Sequence, residues 1–599
     1  MKIETIRHSL AHILAYAVQE LYPGTKFGIG PTIENGFYYD FDFSEVKIAN
    51  PKSKILNLKQ IPNSKFQIPK LEDLSKIEAK MRELIKKNIK FEKKIVSKKE
   101  AKEIFKEQPY KLELIKELSE VGPRAVSKIS IYRCGDFVDL CKGPHVKSTT
   151  EINPDAFKLT KIAGAYWRGS EKNPMLTRIY GVAFATKKES DDYLFKLEEA
   201  EKRDHRVLGQ KLELFMFDEE VGAGLPLWLP KGAILRHVIE DYLYKELISH
   251  GYQWVTSPHI ANLNIWKTSG HWELYRENMY SPIKIDEEEY LIKPMNCPFH
   301  VKMYNLKIRS YKELPLRFAE LGTVYRYEKS GVLHGLTRVR GFTQDDAHII
   351  CGQEQLSDEL TKILKQGLKI LKTFGFKNYN IYLSTRPEEY AGTLQGWEKA
   401  TNSLKYVLGK LKLKYQTDPG GGVFYGPKID IKIKDSLQRE WQCTTIQVDF
   451  NLPEKFKMTY IDEKGKKREP FMIHRALLGS LERFIGILIE HYGGALPLWL
   501  SPVQVWVIPV GSTHRKYADL TNKQLTANNL RTELKEEKET VSKKIREGEL
   551  QKIPYLLVVG DKETKTKSVR VRQRGKGDIG EMELTKFLEK VKIEIEKQK

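Results

Sequence analysis

The sequence predicts an α+β chain of several domains, and three observations lead there. Its 599 residues exceed the roughly 250 to 300 that a single hydrophobic core can serve. The first 200 residues mix helical and strand patterns, whereas from Arg206 to Leu500 aromatic and β-branched segments separated by loops dominate, several of them reading as neighbours in antiparallel hairpins. Past Pro497–Pro502, strands alternate with helices in a small α/β unit. The expected domains are residues 1–205, 206–498 and 499–599.

The opening helix is predicted over Thr5–Leu21, where Ile6, Leu10, Ile13, Leu14 and Ala17 recur at helical spacing, and the turn signal Pro23-Gly24 ends it. Phe43–Pro69 carries three prolines and little periodicity, so it reads as an exposed insertion before a charged helix over Leu71–Lys87. In the middle domain Val324–Glu328, Ile429–Ile433 and Thr444–Phe450 read as strands. In the last domain, strands at Val503–Val510, Tyr555–Gly560 and Val569–Arg572 alternate with helices near His514–Asn528, Val541–Gln551 and Glu583–Lys597.

Hydrophobic residues at 40% and charged residues at 30% are the composition of a chain that buries ordinary cores, which excludes extensive disorder. A formal charge of +22 asks for a polyanionic partner such as nucleic acid, although a Lys-rich proteome gives a similar excess. Cys134, Cys141, Cys297, Cys351 and Cys443 are odd in number and scattered, which speaks against a disulfide framework and for a reducing compartment. The apolar run His12–Val18 follows Glu4, Arg7 and His8 and reads as helix rather than signal peptide. The longest apolar stretch, Ala476–Leu500, is broken by Glu482, Arg483 and Glu490, so no uncharged segment reaches the roughly 18 residues of a membrane span.

No P-loop is present and no G-x-G-x-x-G follows a strand, so nucleotide phosphates would have to be held by side chains. The middle domain contains AELGTVYRYEKSGVLHGLTRVRGFTQDDAHI (Ala319–Ile349) and FMIHRALLGSLERFIGI (Phe471–Ile487). These resemble motifs 2 and 3 of the class II aminoacyl-tRNA synthetases, with motif 1 around Pro258, and IKPMNCPFH (Ile292–His300) resembles the threonine-specific members. Over nearly its whole length the chain is thus similar to threonyl-tRNA synthetases. The resemblance implies a ligase that joins threonine to its tRNA with ATP and Mg2+, built on an antiparallel-sheet catalytic domain flanked by helices. It also implies a cytoplasmic homodimer formed through motif 1, with one zinc ion per subunit. Arg326, read on a strand, and Arg483, read on a helix, would hold ATP phosphates, where a planar guanidinium matches paired oxygens. Glu328, Arg338, Phe342 and Gln442 would be adenine or ribose-phosphate contacts.

Cys297, His348 and His474 stand far apart in sequence, so spacing alone announces no metal. The resemblance makes them the three zinc ligands and leaves His300 out of the set; where many members carry Gly, this chain has Phe299. Zinc answers a discrimination problem. Valine is nearly isosteric with threonine, and an apolar pocket separates methyl from hydroxyl weakly, whereas a site whose polar groups need the hydroxyl rejects valine strongly. By resemblance Asp346 accepts from that hydroxyl, Gln344, Tyr425 and Gln447 surround the amino acid, and Gly420–Gly422 lets a loop approach closely.

HSLAH (His8–His12) puts two histidines at i and i+4 on one helix face, as a metal pair or a proton-handling pair requires, and CKGPH (Cys141–His145) reads as a loop. Ser9 stands where a zincin would need Glu. Both segments resemble the editing domain of bacterial-type threonyl-tRNA synthetases, which implies that His8, His12, Cys141 and His145, with Lys111 and Asp139, remove serine wrongly joined to the tRNA. A structural zinc on the same four His and Cys residues is the alternative. Many members begin with a further small domain before the His pair, for which this sequence has no residues.

The last domain contains IPYLLVVGDKE (Ile553–Glu563) and SVRVRQR (Ser568–Arg574), which resemble the anticodon-binding domain of class IIa enzymes. The resemblance makes Glu563 and Arg572 candidate base contacts and Lys552 a phosphate or base contact, while Glu536 stands where relatives have Asn. Two rivals are a non-catalytic RNA-binding paralogue, which could lose the ATP or zinc residues, and a serine- or proline-specific synthetase, which would lack the Cys-His-His set with Asp346. All of these residues are present.

Overall fold

The computed structural model describes residues 2–45, 69–118, 128–435, 437–535 and 539–598. Residues 46–68 of the expected insertion, and Glu536, lie outside the described residues. The chain divides into two compact units, Met1–Glu198 and Glu199–Lys599, and the division falls inside the helix Lys187–Arg203.

In chain order the first unit contains α1 (Ile3–Leu21), β1 (Gly36–Asp42), α2 (Leu74–Lys86), β2 (Phe91–Ser97), α3 (Pro109–Glu117), β3 (Lys128–Cys134), β4 (Phe137–Leu140), β5 (Phe157–Tyr166) and β6 (Met175–Ala183). One antiparallel sheet runs β1-β6-β5, and a second runs β2-β3-β4. Helix α1 is buried on most of its circumference, from Leu10 to Val18, because it packs against α2 and β1 at once. Full burial of Leu10, Ile13, Leu14 and Val18 is worth on the order of 1.5 to 3 kcal/mol for each side chain. His12 rides on this rigid helix, and Asp139 and Cys141 follow from β4.

The second unit opens with α4 (His205–Lys211), α5 (Pro230–Ser249) and α6 (Cys297–Tyr304), followed by β7 (Leu316–Tyr325), β8 (Gly341–Cys351), β9 (Tyr379–Ser384), β10 (Lys428–Lys434), β11 (Glu440–Asp449), β12 (Phe471–Ser480) and α7 (Leu481–Tyr492). The strands form one sheet in the order β7-β8-β12-β11-β10-β9, antiparallel throughout, with short parallel strands Gln253–Trp254 and Gln416–Asp418 at its edges. On β8 the residues Gln344, Asp346 and His348 alternate with the buried Asp345, Ala347 and Ile349, so the former share one face. Register then sets Phe318, His348, His474 and Gln447 in one row across four strands. The strand expected at Val324–Glu328 is the tail of β7 and stops at Tyr325, where pairing with Gly341 ends. Arg326 therefore lies one residue beyond the strand, tied to it by a single further bond from its N–H to the Arg340 carbonyl, 2.9 Å.

The rest of the unit comprises β13 (Val505–Pro509), α8 (Arg515–Ala527), β14 (Thr532–Leu534), α9 (Val541–Leu550), β15 (Tyr555–Val559), α10 (Asp561–Thr566), β16 (Ser568–Gln573), β17 (Gly577–Glu583) and α11 (Leu584–Glu596). Its sheet runs β14-β13-β15-β16-β17, parallel at the first two pairings and antiparallel at the last two. The expected strands and helices are all there, with ends shifted by a residue or two. The sequence reading missed β14, α10 and β17: the first two are short, and β17 contains Gly577 and Gly580 with apolar side chains only at Ile579 and Met582.

Candidate active site

A cavity of about 400 Å³ opens on the face of the large sheet that carries Gln344, Asp346 and His348. At its floor one donor atom each from Cys297, His348 and His474 lies within 4.8 Å of the other two. Cys297 reaches this point because it is the first residue of α6, and the two histidines are direct partners on β8 and β12. The hydrogen-bond network assigns the ring nitrogens. Glu320 accepts from His300 Nε2 at 3.1 Å, which leaves His300 Nδ1 to accept from His348 Nδ1 at 2.8 Å. Asp449 accepts from His474 Nε2 at 2.8 Å. The lone pairs of His348 Nε2 and His474 Nδ1, 3.0 Å apart, are thereby turned toward each other and the thiol. Burial, together with His300 and His474, holds His348 well below the ordinary histidine range, and burial holds the Cys297 thiol well above its own. Two imidazoles and a thiol, each backed or buried in this way, fit a tetrahedral cation that prefers N and S donors.

Around this floor stand the other residues expected at the site. Asp346 accepts from Asn296 Nδ2 at 3.0 Å, and burial pushes its carboxyl upward. Tyr425 donates to Gln447 Oε1 at 2.7 Å, and Gln442 donates to Asp430 at 2.7 Å and to Thr445 at 3.0 Å. The Gly420–Gly422 turn leading to Tyr425 comes so near the strand β9 side that a Cβ on Gly422 would sit 2.5 Å from the Thr385 carbonyl oxygen. Arg326 lies over the rings of Phe342 and Tyr275, at 5.1 and 5.6 Å. Arg483 is in the first turn of α7, whose N-cap is Ser480, and its Nε donates to the Thr337 carbonyl at 3.1 Å. Burial lowers its guanidinium from the usual value. Glu328 and Arg338 do not line the cavity; they pair with each other at 3.0 Å on the loop between β7 and β8.

In the first unit, His8, His12, Cys141 and His145 converge as well, with donor atoms all within 4.8 Å of one another. Cys141 Sγ is 3.3 Å from both His8 Nε2 and His145 Nε2, and Ser9 Oγ is 3.1 Å from His145 Nδ1. Beside them lies a buried polar chain in which Tyr39 donates to Asp139 at 2.7 Å and Lys111 pairs with Asp139 and donates to Tyr39 at 3.0 Å. Burial lowers the three histidines, and it pushes the Cys141 thiol up to about 11, so these groups are neutral near pH 7. His12 Nδ1 is buried with no hydrogen-bond partner among the described residues.

The C-terminal residues are less gathered. Lys552 follows α9 directly and Arg572 reaches Glu549 of the same helix at 3.5 Å, whereas Glu563 sits on α10 past the far end of β15. Its Oε2 accepts the Gly560 N–H at 3.0 Å, a helix-capping bond.

Sequence reasoning missed Glu320, Asp449, Asn296 and Tyr39. Each acts on a named residue through a long-range contact, and only Asn296 carried a local signal, as the neighbour of Cys297.

Comparison with known proteins gives a consistent result. Residues 280–492 match the tRNA synthetase class II core domain (G, H, P, S and T), residues 504–594 an anticodon binding domain, and residues 129–180 the threonyl and alanyl tRNA synthetase second additional domain. The threonine–tRNA ligase of Sulfurihydrogenibium sp. (strain YO3AOP1) is 52% identical over 594 residues, spanning 98% of this chain and 88% of that protein. That of Borreliella burgdorferi (strain ZS7) is 49% identical over 589 residues, spanning 98% and 97%. The crystal structure of the RNA binding domain of threonyl-tRNA synthetase from Cryptosporidium parvum superimposes with a TM-score of 0.63 at 41% identity, covering 65% of this chain and 98% of that one. A prolyl-tRNA synthetase from Cryptosporidium parvum, at 18% identity and a TM-score of 0.52 over 65% of this chain and 76% of its own, shares the fold.

Proposed function

This chain belongs to the threonyl-tRNA synthetase family and joins threonine to its tRNA with ATP and Mg2+, and on that premise we propose that Cys297, His348 and His474 hold one zinc ion that selects threonine. The observation that carries this reading is the convergence of the three donors, with Asp346, on the floor of the cavity that Arg326 and Arg483 also line. A zinc ion held there by Cys297, His348 and His474 would supply Lewis-acid chemistry toward the amino group and hydroxyl of the substrate.

The residues of the chain account for the rest. Asp346 accepts from the threonine hydroxyl, so valine would leave a buried carboxylate without that donor, a strong reason for rejection. Tyr425, Gln447 and Gln344 bound the amino acid. Its carboxylate attacks the α-phosphorus of ATP, pyrophosphate leaves, and the tRNA 3′ hydroxyl then displaces AMP from the adenylate. Arg326 and Arg483 keep the phosphates in line and meet the charge that grows on their oxygens, while Phe342, Gln442, Glu328 and Arg338 hold the adenosine part.

Serine keeps both polar groups and lacks only a methyl, a difference worth about 1 to 3 kcal/mol. The additional domain found in threonyl- and alanyl-tRNA synthetases matches residues 129–180, and the chain carries a hydrolytic editing activity to remove the error. His8, His12, Lys111, Asp139, Cys141 and His145 are its proposed centre, in a domain of residues 1–205, followed by a catalytic domain of 206–498 and an anticodon-binding domain of 499–599. In the last, Lys552, Glu563 and Arg572 are the proposed tRNA contacts. A homodimer is supported by α5, which buries Leu235, Ile239, Leu243 and Leu247 on one side yet exposes the apolar Ile234, Tyr244 and Ile248 on the other. Five free thiols support a cytoplasmic enzyme, and no helix among the described residues is long and apolar enough to cross a membrane.

The test is pyrophosphate exchange with each of the twenty amino acids, with metal analysis of the same sample. Exchange confined to threonine and serine, with one zinc per chain, is the expected outcome; equal exchange with valine overturns the zinc reading.

A further inference from the structure

His205, near the start of the second unit, is fully buried and has both ring nitrogens committed. Its Nε2 accepts the Leu336 N–H at 2.9 Å, so its hydrogen sits on Nδ1, which donates to Glu490 Oε1 at 2.6 Å. The same carboxylate oxygen accepts the His205 backbone N–H at 3.2 Å, and Arg439 holds the other oxygen at 2.5 Å. Although Asp204, His205 and Glu490 cluster as metal ligands could, the imidazole has no lone pair left to give. It is a strut between α7, which bears Glu490, and the loop joining β7 to β8.

That strut meets the loop at a tight turn. His334 and Arg338 exchange backbone bonds at 3.1 and 3.2 Å, with Gly335, Leu336 and Thr337 between them. Gly335 has φ +47°, and a Cβ there would lie 2.2 Å from His205 Nε2, so the close approach requires glycine. The turn sets two arginines: Arg338 closes it, and Arg483 donates to the carbonyl of Thr337, the residue after Leu336. The loop is exposed at Lys329–Val332, His334 and Arg338, while Leu336, Thr337 and Val339 are buried.

We propose that His205 is a positioning residue for ATP, fixing the 334–338 turn through the Leu336 amide so that Arg338 and Arg483 are preset for the nucleotide. This rests on the reading of those two arginines as ATP contacts. An imidazole acceptor suits the task because Leu336 N–H is buried and would otherwise be left without a partner, a costly state that reopens the turn.

The experiment uses the full-length enzyme with two isosteric variants. His205→Asn keeps a donor facing Glu490 but offers nothing to Leu336; the longer His205→Gln can bring its amide oxygen to the Nε2 position. Expected for His205→Asn are a rise of about 10-fold in the KM for ATP in pyrophosphate exchange, a KM for threonine within 2-fold of native, and faster hydrogen exchange in the 329–340 segment, all largely restored in His205→Gln. Gly335→Ala, which forces the turn off an intact His205–Glu490 pair, should reproduce the Asn phenotype and stands in for it should His205→Asn fail to fold. Native-like exchange in 329–340 for His205→Asn or Gly335→Ala overturns the strut. Fast exchange there with an unchanged KM for ATP overturns the positioning role, and Arg338→Ala measured alongside tells whether the ATP reading itself has failed.

Discussion

His348 Nε2 faces His474 Nδ1 at 3.0 Å across two neighbouring strands, and each ring is turned there by a partner behind it, His300 for the first and Asp449 for the second. Two imidazole lone pairs held toward one point and a thiol make a ready cation site. Replacing Cys297 with Ser should therefore remove metal and threonine activation together, with threonine-dependent exchange falling at least 100-fold. Asp449→Asn should keep the fold and weaken metal affinity by roughly 10- to 100-fold, the usual effect of losing a group that orients a ligand. Metal content by atomic emission reads both. A metal-free protein that still prefers threonine to valine would sink the assignment.

Arg326→Ala and Arg483→Ala should each slow adenylate formation by roughly 10²- to 10³-fold, about 3 to 4 kcal/mol, the range for removing one group that stabilises charge in a transition state. Affinity for tRNA should change little, because both side chains line the inner cavity. Pyrophosphate exchange and filter binding on the same preparations separate the two. Normal exchange by either variant refutes its role.

The histidines of the first unit should clear seryl-tRNA without help from the catalytic cavity. A His8→Ala, His12→Ala double variant should lose hydrolysis of preformed seryl-tRNA while threonine activation stays within 2-fold of native. Equal hydrolysis by native and variant protein would overturn the assignment, and loss of hydrolysis on metal chelation would point instead to a zinc held by the same four residues.

Burial lowers His8, His12 and His145, so the folded first unit keeps them neutral where an unfolded histidine, near 6.5, takes up a proton. Below that pH the unfolded chain binds more protons than the folded one, so stability falls as pH falls from 6.5 toward the lowered folded values. For the fully buried His12 the slope approaches about 1.4 kcal/mol per pH unit. Hydrogen exchange of α1 amides between pH 7 and 5.5, corrected for intrinsic rates, should show this loss, and His12→Gln should flatten it. Parallel slopes in native and variant protein would exclude His12 as the titrating group.

Much of this was readable along the chain because it depends on short-range periodicity. The spacing of Ile6, Leu10, Ile13 and Leu14 marked α1 to within two residues at its start and to the residue at its end, and the β-branched runs Ile429–Ile433 and Thr444–Phe450 marked β10 and β11. Arg326 was misjudged by one residue, because a strand ends where its partner turns away and not where its own composition changes.

By itself, then, the sequence marked several helices and strands, among them α1, β10, β11 and β15, and showed which residue types are available for metal, phosphate and hydrolytic chemistry. Resemblance of its motifs added the reaction. Only the tertiary structure decided that His300 and Glu320 stand behind His348, that Asp449 stands behind His474, and that His205 reaches Leu336 across 131 positions of sequence. The reason is physical: helical and strand patterns arise from neighbours within a few residues, whereas strand order, register and buried hydrogen-bond partners come from the packing of the whole sheet, which no local window contains.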